Sequence, residues 1–221
     1  KNTSLKKENI VTSDSDQIMI IGYGSDGMVS ASKSLIKLVG NLTDKYVQGY
    51  FQYDSKKSGG VTKSHLRFGK EPIRSTYLVN RADFVACHNT SYIKKYDMVS
   101  DLKDGGTFLL NCQWTDDELE KNLPAYFKNY IANHKIKLFV IDGIKLAKEI
   151  GLGNRINTVL QAAFFKLANI IPVEQAVEYM KTAIKNTYGK KGEKIVNMNY
   201  AAVDAGIQNV KEISIPDSWA N

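Results

Sequence analysis

Short apolar runs alternate with longer amphipathic stretches through the first two-thirds of the chain. Residues 17–21 form an apolar run of strand length, and Gly22-Tyr23-Gly24-Ser25-Asp26-Gly27 follows directly. From residue 28 to 39, Met28, Ala31, Leu35 and Val39 recur at the spacing of one helix face. This order predicts a strand, a glycine turn and a helix. Residues 46–53, rich in aromatics, predict a second strand; Gly59-Gly60 marks a turn, and residues 61–68 predict another extended segment. Further short strands are predicted at 84–87 and 107–111, with a helix between them over 91–102. A helix over 116–133 follows, with Thr115 as N-cap and Asp116, Asp117 and Glu118 in the first turn, where the helix dipole favours them. Residues 137–141 predict one more strand. Such alternation implies an α/β fold: a three-layer α/β/α, Rossmann-like arrangement around a mostly parallel sheet.

After Gly153 the pattern becomes helical only, which predicts a helical C-terminal region. Ile156, Val159, Leu160, Ala163, Phe164 and Leu167 form one stripe; Pro172 opens a second helix with the stripe Val173, Ala176, Val177, Met180 and Ile184, ended by Gly189. Residues 193–210 show a weaker helical pattern. Residues 1–15 lack periodicity and are expected to be a linker, 16–215 the folded domain, and 216–221 a second linker. The chain is expected to begin inside a longer polypeptide.

Composition adds exclusions. With 43% hydrophobic and 24% charged residues in 221, the chain has the makings of an ordinary globular core. No run approaches the roughly 18 apolar residues of a membrane helix, so no membrane association is expected. Residues 1–9 are polar with no apolar segment behind them, so no secretory signal is expected there. Two cysteines, Cys87 and Cys112, suggest neither a disulfide framework nor a zinc site, and favour a reducing compartment. The formal charge of +7 is concentrated in two windows. Lys56, Lys57, Lys63, Arg67, Lys70 and Arg74 face only Asp54 and Glu71, and Lys185, Lys190, Lys191 and Lys194 face only Glu193. Such clusters suit nucleotide phosphates, nucleic acid or an acidic partner surface, or are simply solvated faces.

Gly22 to Gly27 fits G-x-G-x-x-G after a strand and before a helix, the context in which glycines let backbone N–H groups approach a phosphate at a helix start. Ser25 adds a hydroxyl donor. Asp26 would repel a phosphate unless it faces away, caps the helix or accepts from a ribose or adenine group. The alternative is a turn whose glycines serve geometry alone. Asp54 lies where dinucleotide-binding folds place a ribose acid, and Lys56 and Lys57 beside it could meet phosphates or only solvent. Gly151-Leu152-Gly153-Asn154-Arg155-Ile156-Asn157 repeats the logic at a second helix start: Arg155 could fork onto a phosphate while Asn154 or Asn157 bonds a ribose or adenine edge, or Asn154 could merely cap the helix. His65, His88 and His134 are too scattered for a metal triad. Cys87 and His88 are neighbours on a strand and point to opposite faces, which argues against a catalytic pair and for a packed Cys87.

The strings GYGSDGMVSASKSLIKLVG, YFQYDSKKSGGVTKSHLRFGKEPIRSTYLVNRADFVACHN, DGGTFLLN, GLGNRIN and AAFFKLANIIP closely resemble the gamma domain of pyruvate:ferredoxin oxidoreductases, including the pyruvate:NADP oxidoreductase fusions, over residues 17–219. Only Tyr23 and Met28 stand where more variable neighbours are expected. The resemblance implies a large, usually dimeric enzyme that decarboxylates pyruvate on thiamine diphosphate and Mg, passes electrons through 4Fe-4S clusters to ferredoxin, flavodoxin or a fused NADP reductase, and makes acetyl-CoA. This segment resembles the unit that binds coenzyme A beside the thiamine-binding domains of the same polypeptide, with no catalytic or metal-ligating residue of its own. The residues it implies are Gly24, Ser25, Asp26 and Gly27 in the glycine turn, Lys56 and Lys57 in the basic loop, and Arg155 and Asn157 at the second helix start. No nucleic-acid partner is implied. A cytoplasmic location, or a reducing anaerobic organelle in a eukaryote, is implied. Two readings stand beside it: a free-standing NAD(P)-dependent dehydrogenase domain, supported by the glycine pattern and Asp54, and a structural spacer without ligand affinity.

Overall fold

The computed structural model describes residues 15–23, 28–53, 60–74 and 78–221. Among them, seven strands form one sheet in the order β2-β3-β1-β4-β5-β6-β7. These are β1 (Asp16–Tyr23), β2 (Tyr46–Tyr53), β3 (Val61–Gly69), β4 (Ala82–Cys87), β5 (Leu102–Asn111), β6 (Lys137–Ile141) and β7 (Lys211–Glu212). β1, β4, β5 and β6 pair in parallel; β3 runs antiparallel to both β1 and β2, and β7 antiparallel to β6. The helices are α1 (Met28–Leu42), α2 (Asp116–Asn122), α3 (Ala125–Asn133), α4 (Gly143–Ile150), α5 (Asn157–Ala168), α6 (Val173–Tyr188) and α7 (Glu193–Gln208). The mostly parallel α/β architecture expected from the sequence is the one observed. No helix among the described residues is long and apolar enough to cross a membrane.

Both faces of the central strands are buried, so their sequences read as continuous apolar runs. Ile18, Ile20, Phe84, Ala86 and Leu109 face a core closed by α1 and α4 to α7; Phe164 of α5 meets Phe84 edge-on at 5.2 Å. Met19, Ile21, Val85, Cys87, Phe108 and Leu110 face a second core closed by α2, α3 and the segment before β5, with Phe127 against Phe108 at 5.1 Å. The first core is tightest where α7 crosses α5. A Cβ on Gly206 would stand 2.8 Å from that of Ala162 and closer still to the Val159 carbonyl oxygen.

Several expectations are corrected. The helix expected over 91–102 is a single 3-10 turn, Thr90–Tyr92, followed by loop. Asn89 accepts from Ser91 N–H, and Asp97 from Val99 and Ser100 N–H, so side chains take the donors that a helix would use. The helix expected over 116–133 is two helices. Pro124 forces Leu123 into an extended conformation (φ −70°, ψ 131°) and ends α2; Thr115 is its N-cap as expected, and with Glu118 it completes a capping box. α4 was not anticipated; Asp142 caps its start and Gly151, at φ 98°, its end. The tail expected as a linker from 216 instead packs down. Trp219 is buried, its indole donates to Glu120, and the Ala220 carbonyl accepts from Asn129 and Asn133, because an apolar ring of that size finds cover against α2 and α3.

The β3 face toward the second core carries two buried polar side chains. Arg67 donates to Gln17, Gln48 and the Leu78 carbonyl. His65 accepts Val79 N–H at Nδ1 (3.1 Å), which leaves Nε2 to donate to Gln52 (3.2 Å) and needs a neutral ring. Burial, with Lys63 and Arg67 nearby, pushes its pKa down to about 4.

Two outcomes follow from this packing. Gly206→Ala should lower unfolding free energy by about 1–3 kcal/mol in urea titrations although alanine is the better helix former, because backbone must move. Since His65 takes up its proton more readily unfolded (near 6.5) than folded (about 4), its contribution is complete above pH 6.5 and falls by up to about 3 kcal/mol as pH drops to 4. Partial burial raises the pKa values of Asp16 and Asp101, which act in the opposite direction, so the difference in pH profile between wild type and His65→Gln isolates the imidazole.

Candidate functional site

From β1 the chain crosses to the edge strand β2, comes back as β3 beside β1, then passes to the other side of β1 to build β4, β5 and β6. The strand order therefore reverses between β1 and β4, and in open α/β sheets the crevice at the carboxyl ends of such a pair is where ligands bind. α1 starts there because it follows β1. α5 starts there too: Asn157, its first residue, shares a cavity wall with His88 just beyond β4, whereas Phe164 lies back against Phe84. Two helix starts, each with partial positive charge from unpaired N–H groups, so meet at the reversal.

Side chains at the strand ends lock this edge. Asn111, buried at the end of β5, donates to the His88 carbonyl (3.1 Å) and accepts Gly143 N–H (2.8 Å), joining β4 to the start of α4. His88 N–H donates to the Ile21 carbonyl and Cys112 N–H to that of Ile141, which extends the pairing past the strand ends. Ser32 of α1 is buried on the same side, and with His88, Asn157 and Gln161 supplies the polar wall of the cavity.

Of the residues singled out from the sequence, Gly24, Ser25, Asp26, Gly27, Asp54, Lys56 and Lys57 lie outside the described residues. Asn157 is at the reversal. Arg155, two residues before it in the turn, is exposed; its Nε donates to the Leu152 carbonyl at 3.2 Å, leaving the terminal amino groups of the guanidinium directed elsewhere. Asn154 does not cap α5: the cap position is Ile156, with no side-chain hydrogen bond, and Asn154 is exposed. Ser32, His88, Asn111 and Gln161 were missed. The signals were present, since His88 and Asn111 each stand at the carboxyl end of an apolar run, and Ser32 falls within the apolar stripe of α1.

Cys87 packs into the second core, as argued from strand alternation. Burial pushes its thiol up to about 12, and Sγ donates to the Asn89 carbonyl. Burial also raises the Cys112 thiol. Neither can serve as a nucleophile, and among the described residues no three His, Cys, Asp or Glu side chains gather to hold a metal ion. What the edge carries among the described residues is two helix starts and the hydroxyl, imidazole and carboxamide groups of Ser32, His88, Asn157 and Gln161.

A family model described as pyruvate ferredoxin/flavodoxin oxidoreductase matches residues 17–209. The chain belongs to that family. It is 54% identical to the pyruvate:ferredoxin oxidoreductase of Moorella thermoacetica over 223 aligned residues, covering 100% of this chain but only 19% of that protein. Pyruvate oxidoreductase subunit PORC of Thermotoga maritima has the same fold, with a TM-score of 0.70 at 20% identity over 90% of this chain and 99% of that subunit. A 2-oxoglutarate:ferredoxin oxidoreductase from Magnetococcus marinus, solved with 2-oxoglutarate, coenzyme A and succinyl-CoA bound, matches with a TM-score of 0.64 at 20% identity, over 87% of this chain and 30% of that one. The chain thus spans about a fifth of its Moorella relative, and the family fold agrees with the resemblance read from its strings.

Native protein at pH 8 should react negligibly with iodoacetamide at either cysteine and take up two equivalents on unfolding in urea. Mass spectrometry of the alkylated protein checks this, and prompt native labelling of Cys87 would contradict its assigned burial.

Proposed function

We propose that this chain is one unit of a thiamine-diphosphate-dependent pyruvate:ferredoxin, flavodoxin or NADP oxidoreductase that converts pyruvate and coenzyme A to acetyl-CoA and CO2. In this reading the unit binds coenzyme A and docks against the thiamine-binding domains of the same polypeptide. The observation that carries the reading is 54% identity along the whole chain to a pyruvate:ferredoxin oxidoreductase five times its length. Coenzyme A in the Magnetococcus relative supports the ligand, as do the two helix starts that meet at the sheet reversal. Docking is supported by β2. It is one edge of the sheet, exposes Tyr46, Tyr50 and Tyr53, and carries no charge or proline that would discourage pairing.

The residues have limited tasks. Backbone donors at the starts of α1 and α5, with the glycine turn, Lys56 and Lys57, hold the phosphates of coenzyme A; Arg155 adds a directed cation and Asn157 a carboxamide. Thiamine diphosphate with Mg supplies the carbanion chemistry and 4Fe-4S clusters carry the electrons, all held by other domains, since a cluster needs four ligands and this chain has two cysteines, both buried. The whole enzyme acts as a homodimer in a reducing cytoplasm or organelle.

Calorimetric titration tests the ligand. Coenzyme A should bind weakly and lose affinity as salt rises, because exposed ion pairs are screened over about 10 Å at 0.1 M. Arg155→Ala should weaken binding on the order of ten-fold, at the lower end of what a charged hydrogen bond contributes, since Arg155 is exposed and its Nε is already committed. Lys56→Ala should cost less. Tighter binding of NADP than of coenzyme A would favour a dehydrogenase domain, and binding of neither a structural spacer. Pyruvate-dependent dye reduction by the chain alone, with thiamine diphosphate added, would overturn the division of labour.

A further inference from the structure

Ser32 sits in the second turn of α1 at 1% exposure, and its Oγ has no hydrogen-bond partner among the described residues. A serine inside a helix ordinarily turns its hydroxyl toward solvent or back to the carbonyl four residues earlier. This one does neither. A buried hydroxyl left unbonded gives up its hydration for nothing, so such groups are rare. Ser32 lines a cavity of about 20 Å³, enough for one water and too small for a larger ligand. Most of its wall is apolar: Ile20, Leu35, Ala86, Leu109, Leu160 and Phe164. The polar part comes from Ser32 on α1, His88 after β4, and Asn157 and Gln161 on α5.

We propose that this cavity is a binding site for a single ordered water, held by the Ser32 hydroxyl and facing the Gln161 carboxamide across the cavity. The water lies between α1 and α5 beside the place where the sheet order reverses, so the two helices are tied to one another through it. The site rests on the hydroxyl and the cavity alone, independently of what the chain binds.

A wet and a dry cavity make opposite predictions for Ser32→Ala. If the water is present, the substitution strips a bonded partner from it, and the thermal midpoint should fall by about 2–6 °C despite alanine's better helix propensity. If the cavity is dry, the substitution removes an unsatisfied hydroxyl and the midpoint should hold or rise, which overturns the proposal. Ser30→Ala, at an exposed position of the same helix, measures the propensity effect to be subtracted. A high-resolution crystal structure of the full chain gives the second readout. Density for a water within hydrogen-bonding distance of Ser32 Oγ supports the site; an empty cavity, or an Oγ bonded to a protein group, ends it.

Discussion

The parallel pairing of β1 with β4 is the constraint on which the rest of the structure depends. Ile18 to Ile21 stand opposite Phe84 to Cys87, so two runs with no polar side chain lie side by side and must be covered on both faces. A single layer of helices could not do that. The chain answers with α1 and α4 to α7 on one face, and α2, α3, the 88–101 segment and the packed tail on the other. Because β3 occupies the other edge of β1, β4 can pair only where the strand order turns back, and the turn-back creates the crevice.

Everything at the crevice follows from what strand ends leave undone. Peptide groups beyond the last ladder bond still need partners. Asn111 meets that need for β4 and α4 with one carboxamide, bonded at both its donor and its acceptor. Helix starts have the same need, and there acceptors run short: Ile156 offers α5 no side-chain cap. The inert thiols belong to the same logic, since burial that packs Cys87 and Cys112 also raises the energy of their thiolates.

Polar groups inside the sheet were handled differently. His65 and Arg67 are held by amides and carbonyls from β1, β2 and the segment before β4, so the outer third of the sheet is fastened by hydrogen bonds where the centre is fastened by apolar packing. That arrangement leaves β2 regular, uncharged and open along its outer edge.

The sequence by itself determined the strands β1 to β6, helices α1, α5 and α6, the parallel α/β class, the packed Cys87 and the family. Each rests on local periodicity or on long strings of specific residues, and neither depends on what lies across the fold. It did not determine where 91–102 would go, because Asn89 and Asp97 compete for backbone donors only once Tyr92, Ile93, Met98 and Val99 are anchored in the second core. Nor did it show that Trp219 would fold back onto α2 and α3, a contact between residues about a hundred positions apart. Of the cavity wall, Asn157 was legible, because a glycine-framed helix start is a local signal. Ser32, His88, Asn111 and Gln161 come from four separate segments, and only the reversal of strand order, a property of the assembled sheet, brings them to one edge.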